Sequence, residues 1–157
     1  MDLISAACRS LIAMGARRIL LHNGHGSNEM PAKAAMRELK SESFATRIYF
    51  ASYWQLAAPR FQEIRTSLHG GMNHACEMET SVILAIQPNA VDLPRASDNA
   101  LSSDVLTSRP FYVVTDFDEI SESGTVGSPS YATAEKGERF PDAATDATPA
   151  FLRGVFN

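Results

Sequence analysis

Apolar residues recur at helical spacing near the start of the chain: Leu3, Ile4, Ala7, Leu11 and Ile12 share a face, and Gly15 follows as a stop signal. The period then changes. Arg17-Arg18-Ile19-Leu20-Leu21-His22 is a short apolar run that predicts a buried strand over 18–22. It breaks at once into Asn23-Gly24-His25-Gly26-Ser27-Asn28, a loop dense in turn residues. A second helix is expected from about Asn28 to Lys40, with Pro31 tolerated in its first turn. Thr46-Arg47-Ile48-Tyr49-Phe50-Ala51 is rich in β-formers and predicts a strand over 46–51.

Beyond Trp54 the pattern is helical or irregular as far as Gly70-Gly71, and His74 to Ile86 reads as a helix ended by Pro88. Residues 89–109 read as a long polar connection, and Phe111-Tyr112-Val113-Val114 as a third strand within 110–115. Residues 124–130 form a turn-rich loop before a carboxy-terminal helical region that Pro141 interrupts. Helices alternating with short buried strands predict a three-layer α/β/α fold with a mainly parallel sheet. No repeat or internal boundary breaks the pattern, so residues 1–157 read as a single domain.

Composition narrows the class. A hydrophobic content of 45% and a charged content of 20% suit a globular domain with a real core. The net charge is −4, and no basic cluster exceeds the pair Arg17-Arg18, so neither nucleic acid nor an anionic membrane is expected as partner. Two cysteines, Cys8 and Cys76, are too few for a disulfide framework and suit a reducing compartment. The amino terminus has no basic stretch before an apolar core, and no apolar run is long enough to span a bilayer. The expected location is the cytoplasm.

The four histidines fall in two groups, His22 with His25 and His69 with His74. His25 follows the first strand, the place where open α/β sheets build their sites, and two glycines flank it. Three readings stand for that loop: a ligand-binding turn, a plain strand-to-helix turn with a solvated histidine, or a phosphate cradle. The last lacks the third glycine of a dinucleotide fingerprint, because Glu29 stands there. On the helix after His74, the residues Ala75, Glu79, Val82, Ile83 and Ile86 share one face. Glu79 is thus a carboxylate on an apolar stripe. Buried, it requires a metal ion or a basic partner; with the helix rotated, it lies at a solvated rim. Glu77 falls off the stripe and reads as a first-turn acid favoured by the helix dipole. His69 reads as a loop histidine. Trp54 directly follows a strand and reads as a core residue or as a pocket wall.

These residues resemble the creatininase family. Asn23-Gly24-His25-Gly26-Ser27-Asn28 is similar to that family's Asn-Gly-His-Gly-Gly-Asn loop, and His74-Ala75-Cys76-Glu77-Met78-Glu79-Thr80-Ser81 to its His-Ala-Gly-Glu-x-Glu-Thr-Ser segment. Tyr53-Trp54, the stretch from Pro88 to Leu93 and the stretch from Gly127 to Glu138 match in order, so the resemblance covers nearly the whole chain. It implies an α/β amidohydrolase that holds a pair of divalent metals and cleaves the C–N bond of a small cyclic or formylated amide. Carried over by position, His25 and Glu79 are metal ligands, His74 is the catalytic histidine, and Trp54 and Asn23 contact substrate. Water would attack the carbonyl carbon while His74 passes a proton to the leaving nitrogen. Zinc, manganese or iron would suit such nitrogen and oxygen donors.

The chain also departs from the family. Ser27 and Asn73 stand where creatininase itself has acidic residues, which implies an amide other than creatinine. The family's amino-terminal Glu-x-His motif and its following Asp have no counterpart, and no Glu-x-His occurs anywhere in the sequence. The resemblance is therefore to the carboxy-terminal portion of the family. With only His25 and Glu79 as ligands, weak or no metal binding and no turnover are expected of this chain alone. A homo-oligomer, or pairing with the absent segment, is expected as well. The alternative is a non-catalytic α/β binding or scaffold module that retains the motifs as remnants.

Overall fold

The structure, a computed structural model, describes residues 1–68, 71–100 and 113–156. They gather into two compact units, one made of residues 1–58 with 144–157 and the other of residues 59–143.

In the first unit, α1 (Asp2–Ala13) is followed by β1 (Arg18–Asn23), α2 (Glu29–Glu42), β2 (Arg47–Ser52) and the short α3 (Tyr53–Leu56). The strands pair in parallel, Arg18 opposite Arg47 through Asn23 opposite Ser52, as the alternation of periods predicts. A parallel pair needs a crossover, and α2 supplies it. Cys8, Ile19 and Leu39 form the core, with Ile4, Ile12, Leu21 and Ile48 packed against it. The buried face of α1 is thus centred on Ile4, Cys8 and Ile12, whereas Leu3 is 83% exposed. Arg9 reaches from α1 to Glu38 (2.6 Å) and Glu42 (2.7 Å) of α2 and ties the two helices together outside that core. Gly15 ends α1 at a φ of +93°, which an L side chain resists.

The second unit holds most of α4 (Ala58–Ile64), then β3 (Met72–His74), α5 (Glu77–Ile86), α6 (Phe117–Ile120) and β4 (Val126–Gly127). β3 and β4 pair antiparallel. The last helix, α7 (Ala134–Phe156), belongs to this unit as far as Ala143 and to the first unit beyond it. Phe61 of α4 and Phe140 of α7 meet edge to face at 5.1 Å. No described helix is long and apolar enough to cross a membrane.

Two sequence expectations are corrected. The helix expected from His74 starts only at Glu77, because His74 pairs with Val126 across the β3–β4 ladder. The carboxy-terminal helix runs straight through Pro141, which costs it the bond to the Gly137 carbonyl without ending it. The connection after Pro88 contains two 3₁₀ turns, Pro88–Ala90 and Leu93–Arg95. The third strand expected over 110–115 falls largely on residues outside those described, and Val113 and Val114 are in no strand.

The amino-terminal part of α7 is pressed onto α5. A Cβ on Gly137 would lie 1.9 Å from the Ser81 carbonyl oxygen, whereas one on Gly154 of the same helix would meet nothing within 4 Å. Gly137→Ala should therefore lower stability by about 2 kcal/mol despite the better helix propensity of alanine. Gly154→Ala should raise it by up to about 1 kcal/mol. Urea denaturation of the two variants tests this; equal shifts of the same sign would contradict the packing.

Candidate active site

The first unit presents its chemistry at the carboxyl end of the parallel pair, where β1 gives way to the glycine-rich loop and β2 to α3. Asn23, the last residue of β1, is buried and donates through Nδ2 to Ser52 Oγ (2.9 Å) on the neighbouring strand. Its Oδ1 accepts from the backbone N–H of His25 (3.2 Å), so a buried side chain fixes the start of the loop. His25 is exposed, and its Nδ1 lies 2.7 Å from Ser27 Oγ and 3.3 Å from Ser27 N. The Ser27 backbone N–H donates to Nδ1, so Nδ1 accepts and the ring proton sits on Nε2; holding a metal through Nε2 would require the other tautomer, with Nδ1–H donating to Ser27 Oγ. Trp54 is half-buried on α3 at the same end of the pair and packs edge to face on Tyr53 at 5.1 Å. Strand register thus brings together the Asn23, His25 and Trp54 positions that the sequence singles out.

The second unit holds His74 and Glu79. His74 ends β3, and its ring lies 4.5 Å from that of Phe117. Ala75, the next residue, is the only described non-glycine with positive φ, at 47°. Its N–H donates to Glu79 Oε2 at 2.6 Å, which holds this unfavourable conformation and orients the carboxylate. Glu79 is half-exposed and opens onto a cleft of about 400 Å³, whose walls include Ala75, Ile83, Asp92, Arg95 and Thr125.

Of the two orientations left open for α5, the structure has the rotated one, with Glu79 half-exposed at a rim. The buried residues of this helix are Glu77, Met78 and Ser81, while Ile83 is 44% and Ile86 74% exposed. Ala75, Glu79 and Ile83 do share a face, but that face is a cleft wall and not part of the core. Glu77 is a first-turn acid of α5, as expected, and is fully buried. Its Oε1 accepts from Lys136 Nζ (2.6 Å), Thr66 N (2.9 Å) and Thr66 Oγ1 (3.3 Å), and its Oε2 from Ser67 N (2.9 Å). Burial pushes the Glu77 carboxyl up, but the bonds from Lys136, Ser67 and Thr66 outweigh it, and the pKa lies below the ordinary glutamate value. Sequence reading missed this pair because 59 positions separate the partners. A strand-end Ser52 and the cleft residues Asp92 and Arg95 were missed for the same reason.

His25 and Glu79 are donors of the right chemistry for a divalent metal. Among the described residues, however, no group of three or more His, Cys, Asp or Glu side chains lies close enough to hold an ion. A catalytic zinc centre takes three protein ligands, so the described residues do not make one. Cys8 and Cys76 are both free and buried, and burial pushes their thiols up, which makes them poor nucleophiles. His69 lies outside the described residues.

A parallel strand pair with a crossover helix, and polar side chains gathered where strands give way to loops, define a protein of the α/β class. Residues 1–152 match the creatininase family, described as creatinine amidohydrolase, and the chain belongs to that family. It is 32% identical over 140 residues to the creatinine amidohydrolase of Pseudomonas putida, covering 83% of this chain and 52% of that protein. The chain thus spans about half the length of the curated relative it matches. Solved structures of creatininase in a manganese form, in a Zn–Zn form of an engineered variant, and of that kind of variant with creatine are each 28% identical to it. Their TM-scores are 0.73, 0.71 and 0.72, and each covers 98% of this chain and 62 to 63% of its own.

The depressed Glu77 pKa has a definite sign. A carboxylate that folding makes more acidic contributes stability above its unfolded value, near 4.3, and that stability is lost as pH falls through the folded value. Glu77→Gln should therefore flatten the acid limb of the stability curve below about pH 5. It should also cost about 3 kcal/mol at pH 7, because Lys136 is left buried without its counter-charge. Adding Lys136→Met should recover part of that loss, as read by urea denaturation at pH 7 and pH 4.

Proposed function

We propose that this chain serves a metal-dependent amidohydrolase that cleaves the C–N amide bond of a small cyclic or formylated molecule. The observation that carries this reading is the arrangement at the carboxyl end of β1, where a buried Asn23 fixes His25 and Ser27 orients its ring. In this reading His25 and Glu79 are metal donors, His74 moves a proton at the reaction centre, and Trp54 with Asn23 faces substrate. The manganese and zinc forms of creatininase support a divalent metal, and its creatine complex supports a small-molecule ligand. Ser27, which stands at an acidic position of creatininase, favours an amide other than creatinine. Free, buried cysteines are in keeping with a reducing, cytoplasmic setting. A three-layer arrangement with a mainly parallel sheet belongs to the same proposal and is supported by the β1–β2 pair.

A second reading is a non-catalytic α/β module that keeps the loop and helix as remnants. Calorimetric titration of the 157-residue chain with zinc and manganese separates the two. The amidohydrolase reading expects micromolar or weaker binding that His25→Ala and Glu79→Ala each reduce further, with no turnover by this chain alone. Binding indifferent to both substitutions would favour the remnant module. Stoichiometric sub-micromolar binding that survives both would show that the donors lie elsewhere. Homo-oligomerisation is part of the proposal too, since Leu3, Phe44 and Ile86 are more than 70% exposed. Light scattering at micromolar concentration should report a mass above 17.1 kDa, and a monomer would count against it.

A further inference from the structure

The cleft beside Glu79 has more chemistry than a metal donor needs. About 400 Å³ is the volume of a small-molecule site. One wall is the α5 face of Ala75, Glu79 and Ile83. The opposite residues come from the turns after Pro88 and from the segment that leads to β4. Arg95 lines this cleft. It closes the 3₁₀ turn Leu93–Arg95, in which Pro94 fixes the backbone and the N–H groups of Arg95 and Ala96 bond to Asp92 (3.0 Å) and Leu93 (2.9 Å). Its guanidinium nevertheless has no ion pair or hydrogen bond among the described residues, although Asp92 lines the same cleft. Lys136, by contrast, is fully engaged, with three oxygen partners at 2.6 to 2.7 Å. The apolar part is equally unfilled, since Ile83 stands half-exposed beside Val91 and Pro129.

We infer that this cleft binds a small amphipathic carboxylate, with Arg95 holding the carboxylate and the Ile83–Val91–Pro129 surface holding an apolar group. A planar guanidinium matches a carboxylate through two parallel N–H···O bonds, and the turn fixes the backbone from which the exposed Arg95 side chain reaches. Glu79 lines the same cleft from α5, and like-charge repulsion turns the ligand's carboxylate away from it and toward Arg95. The inference deepens the amidohydrolase reading and rests on it for the word substrate: the amide would be one that carries a free carboxylate, as an N-formyl amino acid does. The binding chemistry itself needs no metal.

The test is a two-dimensional NMR titration of the metal-free 157-residue chain with N-benzoylglycine, and with its methyl ester as the uncharged control. Saturable shifts are expected at the Arg95 side-chain Nε–H and at the Thr80 and Ser97 amides, with the ester binding about ten-fold more weakly. Arg95→Gln should weaken the acid by about ten-fold and leave the ester unchanged, while Arg95→Lys should retain an intermediate affinity. Amide dispersion of each variant reports its fold. Equal binding of acid and ester, indifference to Arg95→Gln in a folded variant, or shifts confined to other surfaces would each overturn the inference. Because the assay uses neither metal nor turnover, a failed amidohydrolase reading leaves these shifts in place, and a failed carboxylate site leaves metal titration untouched.

Discussion

A single buried ion pair organises the second unit. Glu77 has no solvent exposure, and its two oxygens take up Lys136, both donors of Thr66 and the backbone of Ser67. A carboxylate so enclosed costs several kcal/mol to desolvate, and only this full set of partners makes its charge tolerable. In satisfying it, the chain ties together the segment after α4, the first turn of α5 and the first turn of α7. Ser81, one turn further along α5, repeats the tie, bonding the Glu77 carbonyl (2.5 Å) and accepting from Thr133 N (3.1 Å). The absence of a Cβ at Gly137 lets the two helices come this close at the Ser81 carbonyl.

The orientation of α5 follows from that pair. Once Glu77 and Ser81 face inward, the positions one face away must face outward, and those are Glu79 and Ile83. An apolar residue in the open and an acid in the core look like a misplaced pattern if hydrophobicity alone decides. Here hydrogen-bonded charge decides the core, and the exposed apolar face becomes the wall of a cleft. Glu79 gains from this a defined direction at the cleft wall, because Ala75 donates to one of its oxygens.

The first unit solves the same problem more simply. A parallel pair joined by α2 aligns Asn23 with Ser52, and one side-chain hydrogen bond between them sets the exit of the chain into the His25 loop. The family match and the creatininase structures extend over nearly all of this chain, while the chain spans about half of its curated relative. The relation therefore establishes family and fold at a coarse level, and the chemistry of each site is carried by the side chains around it.

What the sequence determined by itself is local. Periodicity gave α1, β1, α2 and β2 within a residue or two, because short-range burial and turn chemistry govern those elements. The Asn23–His25 loop and the Glu79 segment were legible as motifs. The face that α5 buries was not, since Lys136, Thr66 and Ser67 are brought to Glu77 only by tertiary contact. The start of that helix was misread because His74 is claimed by pairing with Val126, a contact made over 52 positions of chain. The survival of α7 through Pro141 was equally out of reach, as packing across the helix offsets the lost backbone bond. Hydrophobic spacing records which residues could share a face; which face turns inward is decided by the distant groups that satisfy its charges.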